Sequence, residues 1–206
     1  IVLARDLATQ LAMKPVEVIL NQTVDEAWID SEKPDAVILA TGAVPINPPI
    51  PGTDLPHVCQ AWEVLLNQVV TGRRVVVVGG GAVGVETAMF LAKKGTLSAE
   101  AVQFLLVNRA EDPEFIFDIA VHGTKKVVLI EMIDAIGKDI GRSTRWGMLQ
   151  ELKRMGVQSK TATKALEITP LGLRVEKDDS VDEIPADTIV LAIGARPNDP
   201  LSEILE

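Results

Sequence analysis

The chain contains 206 residues, 47% of them hydrophobic, and its formal charge at pH 7 is -9. This apolar content can supply a core, but no run of about 18 apolar residues predicts a membrane-spanning helix. The acidic balance argues against a protein that binds nucleic acids or anionic membranes. The single cysteine, Cys59, excludes an internal disulfide, a redox-active cysteine pair and an iron–sulfur cluster held by this chain alone. We therefore expect a cytoplasmic protein, and His57 and His122 lack the ligand spacing of a metal site.

The first 56 residues predict part of a domain followed by a linker. Residues 1–13 are typical of the end of a helix, and apolar runs at 16–20 and 36–40 predict two strands, the second of them buried. Residues 45–56 are rich in proline and predict an extended, semi-rigid segment. This segment is the best candidate for a domain boundary.

The most informative stretch covers residues 73–86. It follows a short helix predicted over 61–70, and its consecutive valines at 75–78 predict a strand buried on both faces, as in a parallel sheet covered by helices. A G-x-G-x-x-G motif and apolar residues at helical spacing come next. A strand, a glycine-rich turn and a helix in this order are typical of dinucleotide binding, although a turn without a ligand would show the same pattern.

Each glycine of the motif has an expected role. Gly79 permits a tight turn, Gly81 lets a pyrophosphate approach the backbone, and Gly84 lets the helix pack closely on the sheet. The helix that begins near Ala82 would point free N–H groups and the positive end of its dipole at the phosphates. The turn residues expected to bind the cofactor are Gly79, Gly80, Gly81, Ala82, Val83 and Gly84.

A helical insertion interrupts the pattern after the first crossover helix. Residues 96–124 predict two helices, with Ser98 as a cap of the first and Asp112, followed by proline, as the cap of the second. The next buried strand covers residues 125–131 and ends at Glu131.

The remaining residues complete an α/β pattern. A helix is predicted over 143–155 with Ser143 or Thr144 as its cap, and residues 164–184 predict an antiparallel meander. Residues 186–194 predict the last buried strand.

Two glutamates have candidate roles at a nucleotide. Glu131 ends the second strand, where an acidic residue accepts a hydrogen bond from the adenosine ribose and repels a 2′-phosphate, so NAD(H) is favoured over NADP(H). A solvated strand-end glutamate is the simpler alternative, and nearby Arg109, Lys125 and Lys126 keep NADP(H) open. Glu86, expected on the first turn of the helix, either complements the helix dipole or contacts the nicotinamide end.

Residues 35–43 and 187–195 share one pattern, a strand that ends in glycine, which suggests two related nucleotide-binding units. With the central motif and the segments Ala40-Thr41-Gly42-Ala43, Ile50-Pro51-Gly52 and A-I-G-A-R-P-N, the chain resembles the paired FAD/NAD(P)-binding modules of pyridine-nucleotide flavoprotein oxidoreductases. The insertion and the segments around Glu131-Met132 and 136–141 are similar to old-yellow-enzyme-type NADH:flavin oxidoreductases such as 2-enoate reductase and 2,4-dienoyl-CoA reductase.

The resemblance implies a role in a larger enzyme. In that family a barrel domain with FMN and a 4Fe-4S cluster reduces an activated C=C bond, and the present module passes hydride from NAD(H) to FAD. By position, the nicotinamide-nucleotide side would include the glycine turn, Glu86, Glu131, Met132, Ile193 and Gly194. Thr41, Gly42 and Ala43 match the turn that contacts FAD.

The sequence also departs from the family pattern. A barrel, a cysteine cluster and the first glycine motif of the FAD domain are missing, so we expect a fragment that contacts the rest of its own polypeptide and is inactive by itself. A non-catalytic module that holds ADP is the alternative function. A disulfide-reductase relative is a third reading, without a cysteine pair to support it. The oligomeric state stays open.

The expected fold class is α/β: a Rossmann-like parallel sheet with an antiparallel β-meander and a helical insertion, plus a partial FAD-domain segment. The expected domains are a partial FAD-binding segment and linker over 1–56, an NAD(P)-binding domain over 57–193, and a return segment over 194–206. No residue is assigned a catalytic or metal-binding role.

Overall fold

A computed structural model describes residues 2–202 of the chain. The helices are α1 (Val2–Ala12), α2 (Glu26–Glu32), α3 (Ala61–Leu65), α4 (Ala82–Ala92), α5 (Ala99–Val107), α6 (Pro113–Val121) and α7 (Arg142–Arg154). The strands are β1 (Ala43–Pro45), β2 (Val58–Gln60), β3 (Arg74–Val78), β4 (Lys126–Ile130), β5 (Gln158–Lys160), β6 (Lys164–Thr169), β7 (Gly172–Lys177), β8 (Ser180–Pro185), β9 (Thr188–Leu191) and β10 (Ala195–Pro197).

The chain divides into two compact units. One comprises the residues up to Gly42 and those from Asn198 on, and the other runs from Ala43 to Pro197. The proline-rich segment lies inside the second unit, since the Ile168 amide donates to the carbonyl oxygen of Pro51 at 2.8 Å. Proline content does not reveal this hydrogen bond, so the sequence alone indicates a linker here. The predicted division into domains stays a prediction.

The first unit contains α1 and α2. Asp25 caps α2, accepting a hydrogen bond from the Trp28 amide at 2.9 Å, and the sequence analysis missed this helix. The strands predicted over 16–20 and 36–40 are wrong for the described residues. Neither stretch pairs with another strand there, and apart from the half-buried Leu39 their apolar side chains are exposed, with Ile38 92% exposed. An apolar run forms a buried strand only when a neighbour pairs with it.

The core of the second unit is a five-stranded parallel sheet with strand order β2-β9-β3-β4-β5. The central strand, β3, is buried on both faces, as its valine run predicts. On one face of the sheet, Val75 and Val77 pack against helical side chains that include Val85 and Leu91 of α4. The expectation of helices on both faces is wrong, because the other face is covered by the meander.

The meander consists of β6, β7 and β8 in antiparallel order. Its Ile168, Leu173 and Ile184 pack against Val76 and Val78 of the central strand. Alternate valines thus face two different layers, a consequence of the two-residue period of a strand. The predicted meander is confirmed in position and pairing.

The insertion between α4 and β4 consists of α5 and α6, capped by Ser98 and Asp112 as predicted. Its two ends meet, because the Gly123 amide donates to the Ala92 carbonyl oxygen at 3.2 Å and the Thr124 amide to that of Lys94 at 2.9 Å. No residue of α5 is buried in the described structure.

The start of α7 differs from the prediction. Its cap is Gly141 rather than Ser143 or Thr144, and it makes no side-chain capping hydrogen bond. The turn that precedes the helix is held instead by Arg145, whose Nε donates to the carbonyl oxygen of Ile136 at 2.8 Å. No described helix is long and apolar enough to cross a membrane.

Asp187 joins the amino ends of β9 and β3. Its carboxylate accepts hydrogen bonds from the Arg74 amide at 2.7 Å and from Arg74 Nε at 2.9 Å. Hydrogen bonds from the Arg74 side chain and backbone lower the pKa of Asp187 to about 2.

We expect Asp187→Asn to lower the melting temperature at pH 7. The native pKa lies below the unfolded value of about 3.9, so the stabilisation is present above that pH and is lost as the pH falls through about 2. Thermal unfolding followed by circular dichroism gives the melting temperatures of the two proteins. The difference between them should shrink as the pH falls from about 4 to about 2, and each of these pH limits is good to about half a pH unit. Asp35→Asn removes an exposed carboxylate from the other unit as a control, and a pH-independent deficit in Asp187→Asn would contradict the assignment.

Candidate functional site

A cavity of about 780 Å³ lies at the carboxyl edge of the parallel sheet. The ends of β3, β4 and β9 reach it, together with the start of β6. Ligands of open α/β sheets bind outside the carboxyl ends of the strands. The position of the cavity thus agrees with that of a nucleotide site.

The glycine turn between β3 and α4 has no room for side chains at two positions. Gly79 adopts φ +107°, and a Cβ added there would lie 2.5 Å from the carbonyl oxygen of Ala192. A Cβ at Gly84 would lie 1.8 Å from the carbonyl oxygen of Gly79. The first glycine thus allows the turn and the last allows α4 to sit directly against it, which are the steric roles that the motif predicts.

The amino terminus of α4 is occupied by a carboxylate of the chain itself. Asp139 Oδ2 and Oδ1 accept hydrogen bonds from the Ala82 amide at 3.0 and 3.1 Å. A Cβ at Gly81 would lie 3.1 Å from Asp139 Oδ2, so the space left by the missing side chain is filled by this carboxylate. The sequence analysis did not identify Asp139 as a residue of the site. The one local feature that could have indicated it is its position in the segment that follows β4.

Glu131 lies at the end of β4 and faces the same cavity. Its Oε2 accepts a hydrogen bond from the Gly80 amide at 2.6 Å, and its Oε1 accepts one from the Ile133 amide at 3.1 Å. A carboxylate has about four lone-pair sites, so each oxygen can accept a further hydrogen bond. Glu131 thus holds the turn and keeps acceptor capacity toward the cavity.

The cavity wall is largely apolar, with few charges. Among the described residues, its charged lining side chains are those of Glu131, Asp139 and Lys164. Sequence reasoning missed part of the wall, the residues Pro48, Pro49, Ile50, Thr163, Lys164, Ala165 and Leu166. Apart from Thr163, which directly precedes β6, these come from the proline-rich segment and from β6, two regions that the sequence assigned to a linker and a meander.

The structure brings together most of the residues predicted for the nicotinamide-nucleotide side. Those that line the cavity are Gly79, Gly81, Ala82, Val83, Glu131, Met132, Ile193 and Gly194. Gly80 lies next to it through its hydrogen bond to Glu131, and Gly84 lies beneath the turn.

Glu86 is not brought into the site. Helix α4 begins at Ala82, so Glu86 lies beyond the first turn, and its side chain is exposed. The predicted first-turn position is wrong, because a turn of about 3.6 residues that starts at Ala82 is complete at Val85. Glu86 does not line the cavity.

The residues predicted to contact FAD belong to two different units. Within the first unit, the Thr41 hydroxyl donates to the carbonyl oxygen of Asn198. The backbone N–H of Asn198 donates to the carbonyl oxygen of Gly42 at 2.9 Å. Within the second unit, Ala43 pairs with Pro197 as β1 runs antiparallel to β10. The predicted FAD role of Thr41, Gly42 and Ala43 stays a prediction.

Cys59 has no features of a reactive thiol. Burial and the neighbouring Glu63 carboxylate raise the pKa of the thiol to about 11. Its Sγ donates to the carbonyl oxygen of Ile189 at 3.7 Å, and the side chain packs against the helix-side core. A raised pKa suppresses the thiolate that redox chemistry needs.

A family model described as pyridine nucleotide-disulphide oxidoreductase matches residues 2–205. The chain belongs to this family. It is 43% identical to a metal reductase of Desulforamulus reducens over 178 residues, which are 86% of this chain and 27% of the relative. It is 35% identical to an NADH oxidase of Thermoanaerobacter brockii over 196 residues, or 93% and 26% of the two chains.

The fold is similar to that of a solved 2-naphthoyl-CoA reductase, with a TM-score of 0.74 and 22% identity over 98% of this chain and 26% of that one. The predicted α/β fold class is confirmed. The resemblance is confirmed at the level of the oxidoreductase family. The chain spans about a quarter of the length of these relatives.

We expect Gly84→Ala to destabilise the second unit by about 1–3 kcal/mol, because the added methyl group overlaps the Gly79 carbonyl oxygen. Chemical denaturation gives the free energy of unfolding. Gly147→Ala in α7 is the matched control: its Cβ meets nothing within 4 Å, and the change should stabilise the helix by roughly 0.5–1 kcal/mol. If the two substitutions changed the free energy of unfolding equally, the close approach of Gly84 to the Gly79 carbonyl oxygen would have no effect on stability.

Proposed function

We propose that the cavity binds NADH and that the chain is the hydride-entry module of a larger flavoprotein oxidoreductase. One observation carries the proposal: a glycine turn and the amino terminus of α4 open into a cavity beside the Glu131 carboxylate. Family membership supports it, as does the NADH oxidase among the relatives.

The chain itself fits the pyrophosphate of a dinucleotide. A carboxylate already accepts hydrogen bonds from the Ala82 amide, so the amino terminus of α4 accommodates an anion. A phosphate oxygen would take the same donor, and the helix dipole would favour its charge. Gly81, without a side chain, leaves room for an acceptor beside the backbone, and in this structure the Asp139 carboxylate takes that room.

Glu131 would select the nucleotide. Its free lone pairs would accept from the ribose hydroxyls, and its charge would repel a 2′-phosphate. Lys164 lines the same cavity and offers a cation to the anionic ligand. Met132 and Ile193 would provide apolar walls for the bound nucleotide.

The hydride chemistry belongs to the cofactors, and the chain supplies binding and orientation. We propose that bound NADH would give its hydride to FAD, and that the two electrons would then pass one at a time to a domain outside this chain, where a 4Fe-4S cluster would relay them to FMN for reduction of an activated C=C bond. Thr41, Gly42 and Ala43 would contact the FAD. Cys59, the one cysteine of the given sequence, has a raised pKa and lends no support to disulfide reduction by this chain's own residues.

Titration calorimetry of the chain with NADH, NADPH and ADP tests the proposal. NADH should bind more tightly than ADP, since the nicotinamide half should contribute contacts in the cavity. ADP affinity equal to that of NADH would indicate a module that only holds a nucleotide. In the complete polypeptide, NADH should bleach the flavin absorbance near its oxidised maximum in stopped-flow mixing.

We expect Glu131→Gln to narrow the preference for NADH over NADPH by roughly tenfold, because the substitution removes the charge that repels a 2′-phosphate. The amide oxygen can still accept from the Gly80 amide, whereas the NH2 group cannot accept from the Ile133 amide, so the variant keeps one of the two hydrogen bonds of the turn. The ratio of the two dissociation constants is the measurement. Glu86→Gln removes an exposed carboxylate outside the cavity and serves as the control, and an unchanged ratio in Glu131→Gln would exclude the ribose role.

A further inference from the structure

We propose that the Asp139 carboxylate is an internal competitor for the pyrophosphate position, and that it must rotate away before a dinucleotide binds. This inference rests on the proposed function, since it concerns the same cavity. It assigns to Asp139 a role that the glycine motif does not predict.

The position of the carboxylate carries the argument. Both Asp139 oxygens lie within 3.1 Å of the Ala82 nitrogen, the donor that a phosphate oxygen would use. Asp139 Oδ2 also fills the space above Gly81. A phosphate and this carboxylate cannot occupy that space together, and their like charges would repel at such a distance.

The backbone around Asp139 is fixed to the glycine turn. The Gly137 amide donates to the carbonyl oxygen of Gly80 at 2.6 Å, and the Ile140 amide donates to that of Gly137 at 3.0 Å. Ile136 is 5% exposed, and its Cδ1 would lie 2.7 Å from a Cβ at Gly80. The segment therefore stays in place while the side chain moves.

The side chain itself is free to leave. Asp139 is exposed, so rotation about its Cα–Cβ bond transfers the carboxylate from the Ala82 amide to water. In one state the Asp139 carboxylate lies at the Ala82 amide, and in the other that amide is open to an anionic ligand. A ligand that binds only the open state has its affinity reduced by the fraction of molecules in that state.

This competition discriminates between ligands. A ligand with a phosphate must displace the carboxylate, whereas a nucleoside that reaches only the Glu131 side of the cavity need not. Removing the charge should strengthen binding of NADH, ADP and inorganic pyrophosphate, and leave binding of adenosine unchanged.

The test compares wild type with Asp139→Asn, using calorimetric titration with NADH, inorganic pyrophosphate and adenosine. Charges at helix termini predict about 2- to 30-fold tighter binding of NADH and pyrophosphate in the variant. Asp134→Asn is the matched control, because Asp134 lies in the same segment but pairs with Lys138. Its affinities should equal those of wild type. Circular dichroism verifies folding, and Asp139→Ser replaces Asp139→Asn if the latter is unfolded.

The outcomes separate the two proposals. Tighter pyrophosphate binding in Asp139→Asn without NADH binding in any variant would support the competitor role and refute the proposed function. NADH binding that is equal or weaker in Asp139→Asn would overturn the competitor role while the proposed function stands. An equal gain for adenosine would also overturn it, because the effect would then not depend on phosphate.

Discussion

The close approach of α4 to the turn before it is the constraint on which the rest of the second unit depends. Gly84 lies against the Gly79 carbonyl oxygen with no space for even a methyl group. This contact fixes the helix directly over the end of β3, and Val85, Ala88 and Leu91 then fill one face of the sheet. It also aims the first amides of the helix at the cavity. Packing and the candidate site therefore depend on the same few atoms.

The turn satisfies its backbone donors with carboxylates from the segment after β4. Glu131 accepts from the Gly80 amide, and Asp139 accepts from that of Ala82. An unpaired backbone donor at a partly buried turn is costly, so these two acceptors hold the turn in shape without a ligand. The same arrangement places negative charge where an anionic ligand would bind. If the proposed function is right, the chain keeps a preformed site at the expense of some affinity for anions.

Many local patterns were predictable and long-range ones were not, although helix α2 and the start of α7 are local features that the sequence analysis missed. The valine run, the glycine motif and the caps at Ser98 and Asp112 are each determined by a few neighbouring residues, and the structure contains all of them. The runs at 16–20 and 36–40 carry the same apolar signal, yet a strand also needs a partner that sequence does not identify. Asp139 contacts Ala82 across 57 positions, so no local pattern indicates that hydrogen bond. The meander itself was predictable because its strands and turns are local. Its packing against the second face of the sheet was not predictable, because that packing joins residues far apart in the sequence.

The insertion begins and ends at one place, where the amide of Gly123 meets the carbonyl oxygen of Ala92. The end of helix α4 and the residues before strand β4 therefore lie next to each other, and a short loop would be long enough to connect them without α5 and α6. The pair of helices α5 and α6 buries Ile116 and contributes no residue to the described lining of the cavity. Gain or loss of this segment over evolutionary time would leave the nucleotide fold intact, so variation in its length among relatives would carry information about contacts on its own surface and not about the cavity.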